Sequence, residues 1–208
     1  LLAVDADTRP SLRQITVVSC GKKKFLDLTV KDQRVTTVKV DMGAPILTPA
    51  EIPVALPDAA AMNAENVVAM KLTAAGRQWE VTCVSMGNPH AVVFLPAETD
   101  LGRMDLPAIG PDFEHHAFFP NRINTEFVHI DDRRNVHMRV WERGTGETLA
   151  CGTGCCATTV ACILNGLTDD TVTVHVLGGE ITCTWDRQLN TVFMTGPAAT
   201  VFEGEVCI

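Results

Sequence analysis

One glycine-rich run holds the side chains best suited to acid/base chemistry. It reads Glu142-Arg-Gly-Thr-Gly-Glu-Thr-Leu-Ala-Cys-Gly-Thr-Gly154, so a charged strand end leads through a turn to Cys151. A helix that begins at Cys151 would present unpaired backbone N–H groups and a partial positive charge of roughly half an elementary unit. Such a helix start favours the thiolate form of a cysteine and binds anions. We therefore expect an exposed, reactive thiol at Cys151 and a backbone at residues 152–154 that can bind a carboxylate.

The same run also has a purely structural explanation. Its glycines could simply turn the chain, and Cys151 could be a buried apolar residue, as we expect for Cys155 and Cys156. The charged residues Glu142 and Arg143 argue against this explanation, because packing alone gives no reason for them at the end of a strand.

Two more runs place polar side chains at the start of apolar strands. Ser85-Met-Gly-Asn-Pro-His90 leads into one strand, and Arg122-Ile-Asn124 leads into another. The proline makes Asn88 extended or part of a turn, and ordinary turn chemistry also explains either asparagine. Neither the cysteines nor the other histidines have the spacing of metal ligands, so no metal site is predicted. Those histidines are His115, His116, His129, His137 and His175.

Composition argues against several classes of protein. The 208 residues carry a net charge of −8 and no basic cluster longer than Lys22–Lys24, which argues against a general nucleic-acid binder. No apolar stretch approaches the ~20 residues of a membrane span. Cysteines such as Cys83 and Cys183 sit singly in apolar runs, where free cysteine behaves as a small buried hydrophobe. We therefore expect a cytoplasmic protein that binds neither nucleic acid nor membranes.

The elements that must position these residues are short strands around one helix. Residues 151–164 are small or apolar almost all round, which is typical of a helix buried on most sides. Residues 15–41 alternate as a small antiparallel meander, whereas Pro107 and Pro111 are expected to break residues 99–118 into short helical pieces. We predict an α+β fold in which strands wrap around the buried helix. Further strands are predicted at about 78–85, 90–95, 123–130, 135–142, 172–176, 180–185, 191–194 and 200–207.

Taken together, these runs resemble the diaminopimelate epimerase family. The resemblance covers nearly the whole chain from about residue 15 onward, and the ERGxGETxACGTG motif within it is specific. The segments that carry it are Ser85–His90, Arg122–Asn124, Arg139–Gly154, Val40–Pro45 and Met194–Ala198.

The resemblance implies a cytoplasmic, pyridoxal-independent isomerase of lysine and peptidoglycan-precursor biosynthesis that needs no cofactor. Its substrate would be the small molecule diaminopimelate, whose LL and meso forms are interconverted by removing and replacing one α-proton. Two cysteines, one thiolate and one thiol, act in two pseudo-symmetric halves of such an enzyme. The implied fold is a barrel of antiparallel strands around a central buried helix, and a homodimer is one possible assembly.

Matched residue by residue, the resemblance assigns roles to the polar positions. Cys151 would be one of the two catalytic cysteines, and Glu142 and His90 would assist proton movement. The asparagines and the arginine would hold the distal, non-reacting end of the substrate. The substrate-binding set is Asn88, Asn124, Glu142, Arg143, Gly152 and Thr153, the last two at the reacting carboxylate.

One part of the family pattern is missing from this sequence. The first catalytic cysteine of the family lies in a Cys-Gly-Asn-Gly motif, whereas Cys20-Gly21 is followed here by lysines at a hairpin turn. We expect residues 1–46 to be a remnant of the N-terminal half and residues 47–196 to be the C-terminal epimerase domain. Residues 197–208 would be a return segment that pairs with the N-terminal half. Such a chain lacks the opposing cysteine and should be inactive alone.

Two alternatives stay open at this point. A proline racemase-like or phenazine-biosynthesis-like isomerase would share the fold and the Cys-Gly-Thr-Gly helix start. Glu142-Arg143 and Asn88-Pro89-His90 argue against it, since those substrates lack a distal amino-acid group. The chain could also be a non-catalytic structural fragment.

Overall fold

The smaller of two compact units is built on an antiparallel meander. The computed structural model describes residues 13–19, 21–32, 34–56 and 65–205. The described residues up to 41 and from 195 onward form the smaller unit, and the described residues between 42 and 194 form the larger. The meander predicted for the smaller unit is confirmed, with each strand paired to the next. Its strands are β1 (Gln14–Ser19), β2 (Lys22–Lys31) and β3 (Arg34–Asp41).

The end of the chain departs from its predicted strand. Residues 200–205 have no regular structure, and residues 206–208 lie outside the described residues, as does Cys20. Val201 and Phe202 are 85% and 84% exposed, so no apolar surface covers them and holds this segment extended. The backbone N–H of Ala198 does donate to the Thr36 carbonyl at 3.0 Å. The assignment of residues 1–46 and 197–208 to an N-terminal half stays a prediction.

The larger unit is a mostly stranded layer with two α-helices in its described part. Its predicted strands are confirmed to within a few residues, but β4 and β9 were not predicted. The strands are β4 (Val67–Ala74), β5 (Arg77–Ser85), β6 (Pro89–Phe94), β7 (Asn124–Ile130), β8 (Asn135–Glu142), β9 (Gly146–Thr148), β10 (Thr171–Val176), β11 (Gly179–Asp186) and β12 (Thr191–Pro197), whose last residues belong to the smaller unit. The helices are α1 (Leu106–Glu114) and α2 (Gly152–Leu164), with a 3₁₀ turn at Leu101–Arg103.

The sheet of the larger unit is mixed rather than purely antiparallel. Its order is β12-β11-β10-β8-β7-β6-β5-β4, with β9 paired to β8. The pairs β6–β7 and β8–β10 are parallel, which corrects the expectation of antiparallel strands alone. Parallel neighbours need a long crossover connection, and these two connections contain α1 and α2 respectively. The helices are therefore built into the crossovers that the strand pairing requires.

Helix α2 lies in the apolar core of this sheet. Ten of its 13 residues are buried, and it contacts β5, β6, β7, β10 and β11. The predicted buried helix is confirmed. Closure of the strands into a barrel stays a prediction, because the described pairings form an open path from β12 to β4. No helix in the described residues is long and apolar enough to cross a membrane.

Helix α1 is continuous, although two prolines were expected to break it. Pro107 lies in the first turn, where a missing N–H removes no helical hydrogen bond, and Asp105 caps that turn by accepting from the Ala108 N–H at 3.2 Å. Phe113 on this helix joins a second apolar cluster with Trp79 and Phe127, whose rings meet edge to face at 5.2–5.9 Å. This cluster compensates for the hydrogen bond lost at Pro111, so packing overrides the local sequence signal.

Gly110 should be intolerant of alanine because α1 lies directly on the ring of Trp141. A Cβ at Gly110 would come within 2.5 Å of Trp141 Cγ. Helix propensity favours alanine by about 1 kcal/mol, whereas overpacking a core costs about 1–3 kcal/mol or more. We expect Gly110→Ala to lower the free energy of unfolding by about 1–2 kcal/mol, measured by thermal denaturation followed by circular dichroism. Gly196→Ala is the control, since nothing lies within 4 Å of its new Cβ. Equal stability of both variants would contradict the packing at Gly110.

Candidate active site

Cys151 is the N-cap residue of α2, directly before the first helical residue. Its carbonyl accepts the first helical hydrogen bond from the Cys155 N–H at 2.9 Å. Its Sγ lies 3.5 Å from the Thr153 hydroxyl oxygen, in the first turn. Gly152 opens the helix where a Cβ would lie 3.0 Å from Met194 Sδ, so only glycine fits without a shift of that side chain. The thiol and the free N–H groups of α2 therefore share one end of the helix, as the sequence predicted.

The state of this thiol differs from the prediction. Cys151 is only 7% exposed. Burial and the nearby charge of Glu126 raise the pKa of Cys151 to about 11, although the Thr153 hydroxyl and the Gly154 N–H oppose this rise. A helix N-terminus favours an anion by only about 0.3–1 kcal/mol, which is less than the ~1.4 kcal/mol of one pKa unit. Desolvation outweighs the helix dipole and favours the thiol. The expected exposure of Cys151 is wrong, because the side chain is buried.

A fully buried imidazole–carboxylate pair lies beside the thiol. His90 on β6 and Glu126 on β7 are both 0% exposed, and His90 Nδ1 lies 2.6 Å from Glu126 Oε1. His90 Nε2 lies 3.2 Å from Asn88 Oδ1. A ring nitrogen of His90, a carboxylate oxygen of Glu126 and Cys151 Sγ all lie within 4.8 Å of one another. The structure thus brings together His90 and Cys151, which lie 61 positions apart in the sequence.

Glu126 is not among the site residues that the sequence predicted. The available signal was a carboxylate in the middle of Thr125-Glu-Phe-Val128, a segment with β-branched and aromatic neighbours. Acidic residues are almost never fully buried unless they are paired. The partner that explains Glu126 comes from another strand, so the sequence alone could not name it.

These three donor types could in principle hold a metal ion, but two of them already bind each other. Within the described part of the chain, His90, Glu126 and Cys151 are the group whose possible ligand atoms lie close enough together to hold a metal ion. A cation coordinated by His90 Nδ1 and Glu126 Oε1 would have to separate atoms that lie 2.6 Å apart in a buried hydrogen bond. The arrangement is better suited to holding and moving a proton.

Asn124 and Arg143 lie at a second position, joined to each other. Asn124 Nδ2 donates to the Pro89 carbonyl at 3.0 Å, and its Oδ1 accepts from the Arg143 backbone N–H at 2.8 Å. Both polar atoms of this amide therefore brace the start of β6 against the turn after β8. The Arg143 guanidinium donates to the Asn121 carbonyl at 2.9 Å and forms no salt bridge within the described residues.

The two glutamates of the glycine-rich run have separate partners. Glu147 accepts two hydrogen bonds from Arg139, at 2.7 and 3.0 Å, so it is not available to Arg143. Glu142 Oε1 accepts from the Thr148 hydroxyl at 2.5 Å. The charge of Glu142 also contributes to the raised pKa of Cys151, although less than burial and Glu126 do. Glu142 thus belongs electrostatically to the same site as the thiol.

Three of the remaining histidines line a different part of the larger unit. His129, His137 and His175 lie at matched positions of β7, β8 and β10 and border a cavity of about 340 Å³. Asp131 contacts the first two, at 3.2 and 2.9 Å. None of the residues lining this cavity belongs to the predicted site.

Known proteins resemble this chain both in fold and in sequence. A probable proline racemase from Agrobacterium radiobacter K84 has a TM-score of 0.65 and 12% identity, over 95% of this chain and 62% of that one. Such low identity shows a shared fold alone. Residues 82–201 match the family model for diaminopimelate epimerase.

Two relatives have a much higher sequence identity to this chain than the proline racemase has. A diaminopimelate epimerase from Agathobacter rectalis is 50% identical over 196 residues, covering 94% of this chain and 68% of that protein. One from Acetivibrio thermocellus is 51% identical over 194 residues, covering 92% of this chain and 65% of that protein. The chain therefore spans about two thirds of the length of these relatives. By both the family model and this identity, the chain belongs to the diaminopimelate epimerase family, a family of amino-acid epimerases.

Proposed function

We propose that the full-length protein interconverts LL- and meso-diaminopimelate, with Cys151 as one of two acid/base groups. The observation that carries this proposal is the position of Cys151 at the start of a buried helix, beside the His90–Glu126 pair. The roughly half-identical relatives, which are named diaminopimelate epimerases, support the substrate. They also favour this function over proline racemase-like chemistry, which is supported by the similarity of fold alone.

The proposed chemistry needs an acid and a base on opposite faces of the substrate α-carbon. Cys151 would serve one face, and its raised pKa makes the protonated thiol the resting form at neutral pH. A thiol in this form can deliver a proton to a carbanionic α-carbon. The N–H groups at Gly152 and Thr153 would hold the adjacent carboxylate, where fixed dipoles stabilise the charge that develops during proton transfer. Glu142 and His90 would assist the proton movement.

The distal end of the substrate would be recognised by Arg143 and Asn88. Arg143 is partly exposed, and its backbone is held by Asn124. Because both amide atoms of Asn124 are used within the protein, we propose that it acts on the distal end by placing Arg143 and Pro89. Glu142, the last residue of β8, would contact the substrate beside Arg143.

The opposing acid/base would come from outside these 208 residues. Cys83, Cys155 and Cys162 are all 0% exposed, and this burial raises the pKa of each thiol. We propose that residues 1–46 and 197–208 belong to a second half that supplies this group. We also propose a closed barrel around α2, a cytoplasmic location and a homodimer for the full-length protein.

The 208-residue chain alone should not invert diaminopimelate, whereas the full-length protein should. One thiol can exchange the α-proton with solvent deuterium on one face but cannot deliver a proton to the other. The measurement is chiral chromatography of diaminopimelate with mass detection of deuterium, with proline as the control substrate. In the full-length protein, Cys151→Ala should abolish inversion. Inversion by the 208-residue chain would contradict an external second acid/base, and an active Cys151→Ala variant would contradict the role of Cys151.

Among the six cysteines that the structure describes, Cys151 should be the first alkylated, but slowly at neutral pH. Below a pKa of about 11, each pH unit raises the thiolate fraction tenfold. We expect the iodoacetamide rate at Cys151 to rise about tenfold per unit from pH 7 to 10. Peptide mapping by mass spectrometry identifies the labelled residue, and Cys151→Ser is the control. Earlier labelling of Cys83 or Cys155, or a rate that levels off below pH 9, would contradict the structure.

Arg143 should determine substrate selection in the full-length protein. A guanidinium can make two parallel hydrogen bonds to a carboxylate, which lysine cannot reproduce. Losing one charge-assisted bond of about 1.5–3 kcal/mol should lower kcat/KM for diaminopimelate roughly tenfold or more in Arg143→Lys. The exposed Arg134 provides the control, since Arg134→Lys should leave the kinetics unchanged. An unchanged kcat/KM in Arg143→Lys removes Arg143 from the site.

A further inference from the structure

Two glutamates are buried in the described part of the larger unit, and they differ in how their oxygens are used. Glu114 is 5% exposed and Glu126 is 0% exposed. Glu114 Oε1 accepts from Arg122 at 3.1 Å and from the Gly144 N–H at 2.8 Å, and its Oε2 accepts from Trp141 at 2.8 Å. Every oxygen of Glu114 thus fastens one element to another, as expected of a structural carboxylate.

Glu126 has much less structural use. Its Oε1 meets only His90, and its buried Oε2 has no hydrogen-bond partner within the described residues. Leaving a buried polar atom unsatisfied costs about 1–3 kcal/mol, and more for a charged group. Val128 is the next residue on the same face of β7, and it is buried in the apolar cluster that includes α2 residues. A hydrophobic residue at position 126 would suit the core better, so packing does not account for this glutamate.

The first turn of α2 is shaped to admit this carboxylate. A Cβ at Gly154 would lie 2.7 Å from Glu126 Oε1 and 3.3 Å from Cys151 Sγ. Glycine inside a helix costs about 1 kcal/mol relative to alanine. Because Gly154 has no side chain, the carboxylate of Glu126 and the thiol of Cys151 can lie side by side at the helix start.

We propose that Glu126 is a positioning residue of the proton-transfer site. It accepts the Nδ1 proton of His90 and thereby leaves Nε2, which faces Asn88, as the nitrogen that gains and loses a proton. This inference rests on the proposed function, in which His90 assists proton movement at Cys151.

The hydrogen-bonding capacities of the three groups support this assignment. An ionised carboxylate only accepts, so the contact at 2.6 Å requires the proton on His90 Nδ1. Nε2 then faces Asn88, whose amide carries both a donor and an acceptor. Asn88 can therefore partner Nε2 with or without its proton by rotating its amide. A carboxylate behind an imidazole fixes ring orientation and tautomer in the same way around metal ligands.

The charge of Glu126 has a second effect, on the thiol. Because its Oε2 meets no donor in the described residues, its field is not quenched there and favours the protonated form of Cys151. Glu142 adds to this effect, and the Thr153 hydroxyl and Gly154 N–H oppose it. The polar and titratable groups around the thiol are His90 from β6, Glu126 from β7, Glu142 from β8, and Thr153, Gly154, Cys155 and Cys156 from α2.

Glu126→Gln separates charge from shape, because the amide keeps the size of the side chain and one oxygen acceptor. Alkylation of Cys151 by iodoacetamide at pH 8 should become about tenfold faster, since a like charge nearby raises a pKa by about one unit or more. The thermal midpoint of the variant should be unchanged or higher, because a poorly satisfied buried charge is removed. Glu114→Gln is the matched control and should be less stable but alkylated at the wild-type rate.

The tautomer of His90 can be measured without any change at position 126. In the 208-residue chain labelled with ¹⁵N-histidine, long-range ¹H–¹⁵N spectra report which ring nitrogen carries the proton, and His90→Gln assigns the signal. We expect Nδ1 to carry a proton. A proton on Nε2 alone, or equal alkylation rates in Glu126→Gln and wild type, would overturn the inference.

Both measurements work without substrate, so their failure is distinct from failure of the proposed function. If Cys151→Ala abolishes inversion while Glu126→Gln changes nothing, only the role of Glu126 falls. If Glu126→Gln does not fold, the spectrum of the wild-type chain still decides the tautomer.

Discussion

The burial of α2 is the constraint on which the rest of the larger unit depends. A helix with almost no polar face can be stable only when apolar surface covers it on most sides. The strands β5, β6, β7, β10 and β11 provide that surface. Cys151 at the N-terminus of α2 is then buried as well, beside N–H groups that have no partner inside the helix. The position of Cys151 at this end follows from the sequence, whereas its desolvation follows from the surrounding strands.

Two opposing electrostatic effects meet at Cys151. The helix start and the Thr153 hydroxyl favour a thiolate, while burial and the charge of Glu126 favour a thiol. Removal from water is the larger effect, because the helix dipole is worth only about 0.3–1 kcal/mol. A site with a protonated cysteine is suited to donating a proton, and a substrate that brings its own charges would change this balance on binding.

Glu114 and Glu126 are both buried in the larger unit, but Glu114 stabilises the fold whereas Glu126 is better explained by function. Glu114 satisfies donors from Arg122, Trp141 and Gly144, and so joins α1 to the turn after β8. Glu126 has one partner and one unsatisfied oxygen, and a glycine in α2 makes room for it. Natural proteins retain such unfavourable local choices mainly at functional sites, where the loss in stability is offset elsewhere.

The sequence by itself determined the family, most strand positions and the residues at the start of α2. Hydrophobic periodicity predicts elements, and the run from Glu142 to Gly154 is specific enough to carry a resemblance. The sequence did not predict the continuity of α1, because the aromatic cluster around Phe113 that offsets Pro111 is assembled from β5 and β7. It also could not identify Glu126, whose partner His90 lies 36 residues away on a neighbouring strand. The state of the Cys151 thiol was decided in the same way, since desolvation depends on everything that packs around an atom and not on its neighbours in the chain.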